Sequence, residues 1–315
     1  MLKRNLLLAL AVILILMGLA ASEARCQAIC GDANSDQSVN VSDAVWIIGY
    51  IFVGGDPPVP LESGDVNCDQ TCNVADVVWI LNYVFAGGYD PCDIDGDGIP
   101  DCDPNCPWTV TDIDGNVYQT VLIGDQCWMA ENLKVTHYRN GDPIPNVTDD
   151  YEWSLLSTGA YCEYDNNPAN VATYGRLYNW YAVDDSRNIA PEGWHVPTDA
   201  ETKQLEMYLG MSQAEADATS WRGTDEGGKL KEAGTTHWSP PNTGATNESG
   251  FTALPGGYRN LSGYFNHMGL IAYFWSSTEY FSTNAWYRDL HYYNSQVGRY
   301  DFNKHYGFSI RCVRD

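Results

Sequence analysis

Positive charge is scarce in this chain. Only 17 residues are Lys or Arg, against 41 Asp or Glu, which gives a formal net charge of −24. A field of this sign excludes binding of nucleic acid or of an anionic membrane through overall charge. Charged residues make up only 18% of the chain, while Trp, Tyr and Phe make up 13%. This many aromatic residues excludes a disordered polyelectrolyte, so we expect a folded, loop-rich extracellular protein.

Long apolar runs are missing too, except at the start of the chain. Lys3 and Arg4 precede an apolar run over residues 6–20, and small residues follow up to Ala24. This order predicts a signal peptide over residues 1–24, because a membrane anchor needs about 20 apolar residues. We therefore expect a secreted protein, extracellular or at the cell surface, with no membrane span after cleavage.

All ten cysteines follow that segment. They are Cys26, Cys30, Cys68, Cys72, Cys92, Cys102, Cys106, Cys127, Cys162 and Cys312. In an exported chain an even number of cysteines favours disulfides, and we expect this also for Cys127, Cys162 and Cys312. The pairing cannot be deduced from sequence. Seven cysteines lie before residue 107 and three after it. Both numbers are odd, so either a disulfide crosses that position or one thiol stays free on each side.

Charge divides the chain into two parts. Residues 27–106 contain fourteen Asp or Glu and no Lys or Arg, whereas residues 107–315 contain 26 acidic and 14 basic residues. A segment with fourteen uncompensated negative charges repels itself open unless a cation neutralises it. Its acids alternate with Asn and Gly at fixed steps, which a solvated acidic linker does not explain.

The acidic segment contains a repeat with an offset of 33 residues. GDANSDQSVNVSDAVWIIGYIFVGGDP begins at Gly31 and aligns with GDVNCDQTCNVADVVWILNYVFAGGYD, which begins at Gly64. Oxygen ligands at loop positions 1, 3, 5 and 9, a backbone carbonyl at 7 and a carboxylate at 12 suit Ca²⁺ better than Mg²⁺. The predicted ligands are Asp32, Asn34, Asp36, Ser38, Asn40 and Asp43 in the first loop, and Asp65, Asn67, Asp69, Thr71, Asn73 and Asp76 in the second.

A helical pattern follows each loop. The apolar residues at helical spacing are Val45, Ile48, Ile51 and Phe52 in the first copy and Val78, Leu81, Val84 and Phe85 in the second. The glycine pairs that begin at Gly54 and Gly87 predict the helix ends. Trp46 and Trp79 occupy equivalent positions, and we expect them to pack in the core or between the repeats rather than to contact a ligand.

The two repeats resemble type I dockerin modules over roughly residues 30–92. The resemblance implies a small all-α domain of EF-hand-like loop–helix units that binds Ca²⁺ and a cohesin-type domain on a scaffold or cell surface. Loop positions 10 and 11, where partner specificity often resides in the family, are Val41-Ser42 and Val74-Ala75. These differ from the hydroxyl pairs of well-known dockerins.

Two departures from the dockerin pattern concern the loops themselves. Position 6, where the turn favours Gly, is Gln37 in one loop and Gln70 in the other. A residue other than Gly with a positive φ costs about 1 kcal/mol, which weakens calcium binding. Cys68 and Cys72 both lie inside the second loop, and a bridge between them is one possible pairing.

A third acidic stretch, DIDGDGIPDCDPNC, occupies residues 93–106. It resembles one thrombospondin type 3 calcium repeat and forms a linker over residues 93–107. The resemblance implies calcium ligands at Asp93, Asp95, Asp97 and Asp101; the alternative is a stiff spacer closed by disulfides.

Residues 108–315 contain short strand-like runs, Gly/Asn turns and many aromatic residues. Val117–Ile123 is predicted as a strand. Thr198 with Glu201, and Ser212 with Glu215, form capping boxes that predict two helices, the first of which ends at Gly210. Further strands are expected at 286–290, 296–300 and 308–313, with turns at Asn294-Ser295 and Asn303-Lys304. These elements define an α+β class with mixed short strands.

Seven motifs in this region resemble the Fibrobacter succinogenes major paralogous domain. They are VLIGDQCWMAENLKV (121–135), YGRLYNWYAV (174–183), GWHVPTDAE (193–201), GGKLKEAGTTHW (227–238), GFTALPGGYRN (250–260), FWSSTEY (274–280) and GFSIRCVRD (307–315). The resemblance implies a secreted bacterial surface or cellulosome-associated module with a C-type-lectin-like fold and no established catalytic activity. The family's Cys before the GWH motif is Ala190 here, so one bridge is absent.

The sequence offers no recognisable catalytic constellation in residues 108–315. Glu131, Glu248 and Glu279 lack a spacing that pairs them for glycoside hydrolysis. The histidines are too scattered for a metal triad, and we expect His195 to be packed in the core. A nucleophile elbow, a phosphate loop and the H-E-x-x-H motif are all missing from the sequence. We therefore expect no catalytic residues and no enzyme.

Binding of carbohydrate is the remaining hypothesis for this domain, because exposed Tyr and Trp rings stack on pyranose faces. The loops between residues 242 and 282 are the expected region, with Tyr258, Tyr264 and Trp275 as first candidates. The leading prediction is a secreted, non-catalytic protein with a calcium-binding dockerin module and a lectin-like adhesion or carbohydrate-interaction domain. The alternatives are an accessory or enzymatic component of polysaccharide degradation and a purely structural surface protein.

Overall fold

The computed structural model describes residues 28–69, 71–93 and 105–315. The chain forms two compact units, and the division falls between Asn105 and Cys106. None of the helices in these three ranges is long and apolar enough to cross a membrane.

Several sequence predictions lie outside the described residues. They include the expected signal peptide at residues 1–24, Gln70 in the second loop and most of the thrombospondin-like linker. Among the linker's expected ligands, those outside the described residues are Asp95, Asp97 and Asp101.

Two loop–helix repeats build the first unit. Helix α1 spans Val41–Ile48 and continues as a π-helical turn, Gly49–Val53. Helix α2 spans Val74–Ala86. A short 3₁₀ turn, Leu61–Gly64, precedes the second loop.

Both helices begin and end at the residues that the repeat predicts. Asn40 and Asn73 are the N-caps, and each forms a capping box with the Asp three residues later. The box satisfies backbone N–H groups that have no partner inside the helix. Gly54 and Gly87 follow at φ +72° and +68°, the left-handed conformation that glycine adopts without a Cβ clash. The calcium-loop pattern and the helix starts therefore use the same side chains.

The core of the first unit is formed by equivalent positions of the two repeats. It consists of Ala33, Ala44 and Ile47 from the first repeat and Val66, Val77 and Ile80 from the second, each 5% exposed or less. Val45 and Val78, which defined the helical spacing in the sequence, are instead 61% and 51% exposed. Trp79 packs against this core as expected, whereas Trp46 is 39% exposed. The spacing therefore located the helices but did not identify their buried faces.

A disulfide closes the first unit. Cys30 and Cys92 are bonded across a sequence separation of 62 residues. In the chain-entropy model, a closed loop of that length stabilises the fold by about 4 kcal/mol. Cys68 is also disulfide-bonded, but Cys72 is a free thiol, so the bridge considered between these two is wrong. Cys72 packs against the apolar core, as Val39 does at the same position of the first repeat.

The second unit is a mixed α+β fold, which confirms the expected class. Its strands are β1 Thr109–Thr111, β2 Val117–Ile123, β3 Gln126–Met129, β4 Tyr161–Cys162, β5 Leu177–Tyr178, β6 Trp194–His195, β7 Ser220–Arg222, β8 Gly256–Arg259, β9 Phe265–Met268, β10 Ile271–Phe281, β11 Asn284–His291, β12 Val297–Asn303 and β13 Val313–Arg314. Its helices are α3 Asp150–Ser154, α4 Val171–Tyr174, α5 Trp180–Val183, α6 Asp199–Tyr208, α7 Gln213–Asp217 and α8 Glu226–Leu230.

Two antiparallel sheets organise this unit. One has the strand order β1-β2-β3-β13-β6 and the other β10-β11-β12-β7. Strand β10 is buried on both faces: Tyr273 and Trp275 point to one apolar cluster, and Ala272 and Phe274 point to another. The alternation follows from the two-residue period of a strand.

Most of the predicted elements of this unit are confirmed. Strand β2 has the predicted bounds, and both predicted capping boxes start helices, α6 and α7. Strands β11 and β12 pair as an antiparallel hairpin. The prediction of a strand over 308–313 is wrong, because only Val313–Arg314 forms one. That strand lies between β3 and β6 in the other sheet, a long-range pairing that local sequence does not encode.

A buried ion network lies beneath helix α6 and was not foreseen from the sequence. Glu206 is fully buried and binds Arg222 at 2.7 Å and Arg288 at 2.7 Å. Asp199 binds Arg299 at 2.7 Å. Burial alone would raise the pKa of Asp199, but the hydrogen bond and charges of its arginines lower it to about 2. The network ties helix α6 to strands β7, β11 and β12.

The three last cysteines do not all form disulfides. Cys127 is bonded to Cys106, which belongs to the second unit rather than to the linker. Cys162 and Cys312 are buried free thiols, so the expectation of disulfides for both is wrong. Burial raises the pKa of the Cys162 thiol to about 12, which keeps it protonated and unreactive.

Candidate calcium centre

The first ligand position of each loop is a buried aspartate. Asp32 is 5% exposed, and its two carboxylate oxygens accept the backbone N–H groups of Asp36 and Gln37 at 2.9 and 2.8 Å. Asp65 is 1% exposed and accepts the backbone N–H of Asp69 at 3.1 Å. These bonds wrap each loop around its first carboxylate.

The last ligand position closes each loop from the first turn of the helix. Asp43 accepts the backbone N–H groups of Asn34 at 3.2 Å and Asn40 at 2.8 Å. Asp76 accepts those of Val66 at 2.9 Å and Asn73 at 2.7 Å. Both aspartates are fully buried. Their position on the rigid helix start fixes the carboxylates relative to the rest of the loop.

The middle ligand positions lie at the solvent side of the loops. Asp36 accepts the Ser38 backbone N–H at 3.0 Å, and Asp69 accepts that of Thr71 at 2.9 Å. Hydrogen bonds from Ser38 and Thr71 lower the pKa of Asp36 and Asp69, so both are ionised at neutral pH. The Asn34 amide N–H donates to Asp36 at 3.1 Å, and the Asn34 amide oxygen accepts the backbone N–H of Asp36 at 2.9 Å, which leaves that oxygen a second lone pair for a cation.

The electrostatics of the loops favour a bound cation. Burial raises the pKa of Asp43, and repulsion from Asp32 and Asp36 adds to that effect. Burial raises the pKa of Asp76 in the same way, with repulsion from Asp69. No Lys or Arg occurs in residues 27–106 to offset these charges. Buried carboxylates without a counter-charge are costly, and a bound cation removes that cost.

The donor set fits calcium rather than a transition metal. The loops offer carboxylates, amide oxygens and backbone carbonyls, which are the hard ligands of Ca²⁺. In the parts of the chain that the structure describes, no three His, Cys, Asp or Glu side chains converge as a metal cluster, the loop aspartates included. Gln37 has φ +70°, the conformation expected at the position that favours glycine. Residues present in both loops therefore fit the ion.

The linker ligand that the structure describes is Asp93. It is 6% exposed, and its backbone N–H donates to the Asp90 carbonyl at 3.1 Å. It directly follows Cys92 of the closing disulfide, which holds this end of the linker to the first unit.

Both helices of the first unit also expose an apolar face, which the sequence analysis did not identify. The members are equivalent in the two repeats: Val41, Val45 and Phe52 are 45%, 61% and 68% exposed, and Val74, Val78 and Phe85 are 46%, 51% and 72% exposed. We call these two sets the apolar helix faces. Val41 and Val74 are the loop position 10 residues, so the faces adjoin the calcium loops. The sequence signal that could have identified them is the pairing of apolar residues at three equivalent repeat positions, 41 with 74, 45 with 78 and 52 with 85.

The candidate residues of the second unit are not brought together. Glu131 binds Lys134 at 2.5 Å, and Glu279 binds Lys304 at 3.1 Å. His195 is partly exposed and lies between two carboxylates rather than in the core, so that prediction is wrong.

The aromatic candidates for carbohydrate binding differ in exposure. Trp275 is 1% exposed and donates its indole N–H to the Tyr178 carbonyl, so it cannot stack on a ligand. Tyr258 is partly buried, and Tyr264 is 63% exposed.

Family comparisons agree with the two kinds of architecture. Residues 30–85 match the dockerin type I domain, which identifies the paired calcium loops as a dockerin. Residues 121–314 match the Fibrobacter succinogenes major domain, and the chain belongs to that family. The dockerin and Fibrobacter resemblances found in the sequence, and their order, are confirmed. No curated protein and no solved structure gives a significant match.

Proposed function

We propose that this is an exported, non-catalytic protein that attaches through its dockerin to a cohesin-type domain and presents its C-terminal domain for recognition. The observation that carries the proposal is the pair of apolar helix faces. Val45 and Val78 occupy equivalent positions and are each more than half exposed. Each lies on the helix that directly follows a calcium loop. Matched exposed apolar residues are typical of a surface that a protein partner covers.

Calcium supports this surface by ordering the loops. Asp32, Asp36 and Asp43 with Asn34 and Asn40 would hold the ion in the first loop, and their counterparts 33 residues later would hold it in the second. When bound, the ion supplies the positive charge that the buried carboxylates lack. Because the same aspartates complete the capping boxes, ordering of the loop and of the helix start is coupled.

The partner that fits these faces is apolar at its centre. Val41 and Val74 stand at loop position 10, and neither presents a hydroxyl to the partner. We therefore expect a cohesin-type domain with apolar side chains on its contact surface. Cohesins that bind dockerins with hydroxyl residues at these loop positions would carry polar side chains there. The dockerin also favours an extracellular or cell-surface location, consistent with the expected signal peptide and the disulfides.

Binding to a panel of cohesin domains, measured by calorimetry with and without Ca²⁺, tests this attachment. We expect binding to at least one member and its loss when EDTA is added. Val45→Asp together with Val78→Asp places charge on both apolar helix faces and should abolish binding. Val59→Asp is the matched control, because Val59 is 73% exposed but lies outside both helices. Equal binding by the double variant and wild type would refute the assigned surface.

For the C-terminal domain we propose a C-type-lectin-like fold and a carbohydrate-interaction or adhesion role without catalysis. Its mixed α+β fold and its aromatic content support this role, and two of its candidate acids, Glu131 and Glu279, are each occupied by a lysine. Incubation of the protein with cellulose, xylan and mannan tests the claim. Sedimentation with a polymer supports binding, and release of soluble sugar above a heat-killed control would contradict the absence of catalysis.

A further inference from the structure

Six aromatic rings surround Phe308 in the C-terminal unit. The nearest, Trp275, has its centroid 4.3 Å from the Phe308 ring and is buried. The other five are those of Tyr258, Tyr273, Tyr287, Phe302 and Tyr306, with centroids 5.1–6.2 Å from the Phe308 ring. We call this set the tyrosine cluster. Phe308 is 1% exposed and forms its floor, whereas Tyr258 and Tyr306 are partly exposed. Rings from β8, β10, β11, β12 and the segment after β12 meet here, which only the tertiary fold achieves.

Three hydroxyls of the tyrosine cluster have no hydrogen-bond partner among the residues that the structure describes. Tyr273 is hydrogen-bonded to His267 Nδ1 at 2.9 Å, but Tyr258, Tyr287 and Tyr306 make no hydrogen bond to any residue that the structure describes. Tyr287 is only 5% exposed, yet its oxygen is not among the fully enclosed unpaired polar atoms of those residues. Its ring is therefore buried while its hydroxyl reaches the accessible surface. Polar groups placed in this way are open to solvent and can pair with a bound ligand.

The charges around the cluster favour a neutral ligand over an anionic one. Cation–π contacts do occur elsewhere in this unit, but across the described residues none involves a ring of the tyrosine cluster. Burial raises the pKa of Tyr287, and the charge of Asp289 adds to that effect, so its hydroxyl stays protonated and can donate. Asp289 itself is 5% exposed and is bonded to His291 at 3.2 Å. The local field is negative.

We propose that the tyrosine cluster binds a pyranose unit of a neutral carbohydrate. This inference rests on the proposed carbohydrate-interaction role and assigns it a site. Tyr258 and Tyr306, 5.6 Å apart, offer partly exposed ring surface for the C–H face of a sugar. The three unpaired hydroxyls supply hydrogen bonds to sugar hydroxyls. An organic cation would also suit aromatic rings and a negative field, but it would cover these hydroxyls without pairing them.

A triple variant, Tyr258→Phe, Tyr287→Phe and Tyr306→Phe, tests the site in the full-length protein. It removes three hydroxyls that have no internal partner and keeps every ring, so we expect an unchanged melting temperature. Sedimentation with cellulose, xylan and mannan should show wild-type binding to at least one polymer. Each lost hydrogen bond weakens binding about fivefold, so the triple variant should bind that polymer more than tenfold more weakly. Tyr208→Phe is the matched control: Tyr208 lies on helix α6, is 60% exposed and stands outside the cluster, so this variant should bind as wild type.

The outcomes separate the site from the role. If wild type binds and the triple variant binds equally well, the tyrosine cluster is not the site, while the proposed role stands. If wild type binds none of the three polymers, the carbohydrate role fails and the site with it. If the triple variant does not fold, Tyr306→Phe alone decides the matter, because it removes a single partly exposed hydroxyl and should weaken binding about fivefold.

Discussion

Replacing Gln37 by glycine tests whether backbone strain limits calcium binding. Gln37 has φ +70° in the first loop, and its backbone N–H donates to Asp32 at 2.8 Å. A side chain with a Cβ pays about 1–2 kcal/mol in this conformation, whereas glycine does not. Glycine in turn loses about 0.5–1 kcal/mol more backbone entropy on ordering. We therefore expect a net gain of about 0.5–1 kcal/mol for glycine over alanine, since both lack the Gln side chain.

Calcium titration of full-length Gln37→Gly and Gln37→Ala by calorimetry is the assay. If the loop orders on binding, the strain is paid only in the bound state. Gln37→Gly should then bind Ca²⁺ about two- to fivefold more tightly than Gln37→Ala at the first site. The alanine variant controls for contacts that the Gln side chain makes.

A reciprocal substitution checks the same cause with the opposite sign. Gly87 ends helix α2 at φ +68°, and a Cβ there would meet no atom within 4 Å. Gly87→Ala should therefore destabilise the dockerin by about 0.5–1 kcal/mol without a steric clash. Equal calcium affinity of Gln37→Gly and Gln37→Ala, together with a neutral Gly87→Ala, would refute the strain argument.

Three further predictions concern disulfide, packing and pH. Cys30→Ser with Cys92→Ser should destabilise the calcium-loaded dockerin by about 4 kcal/mol in denaturant unfolding, because a long closed loop is opened; a change below 1 kcal/mol would contradict this. Cys72→Val should leave calcium affinity unchanged, because the thiol only fills apolar space in the core. Protonated His195 donates a hydrogen bond from Nε2 to the Glu201 carboxylate at 2.8 Å, and this bond raises the pKa of the imidazole. The contribution of this pair to the free energy of unfolding is complete below the pKa that His195 has in the unfolded chain, and it is lost as pH rises through the higher pKa of His195 in the folded protein. The melting temperatures of His195→Gln and wild type should therefore converge above neutral pH.

Local patterns were sufficient wherever one segment carries all the information. The repeat offset, the capping boxes and the glycine helix ends depend on residues within a few positions of one another, as at Asn40, Asp43 and Gly54. The same holds for strand β2 and for the helix that Thr198 begins. Hydrogen-bond caps and left-handed glycines act over one helical turn, so the sequence predicts them directly.

The sequence predicts less well which apolar side chains are buried, because some helices and strands are apolar on more than one face. Apolar residues cover both sides of helices α1 and α2, so periodicity did not tell Ile47, which is buried, from Val45, which is exposed. The sequence predicts Trp275 as a residue that contacts a ligand, yet Trp275 is buried because other elements cover both faces of strand β10. Only the packing of neighbouring elements assigns such residues to core or surface.

The sequence by itself determined the two kinds of domain, the candidate oxygen ligands of the two loops and the start and end of their helices. Those features depend on residue type and short spacing, and both are fixed by the order of the chain. The tertiary structure alone decided which cysteines are bonded, that β13 joins the sheet of β3 and β6, and that Glu206 meets Arg222 and Arg288. It also gathered Tyr258, Tyr287 and Tyr306 around one buried ring. These contacts join residues far apart in sequence, so they exist only once the loops between them have closed.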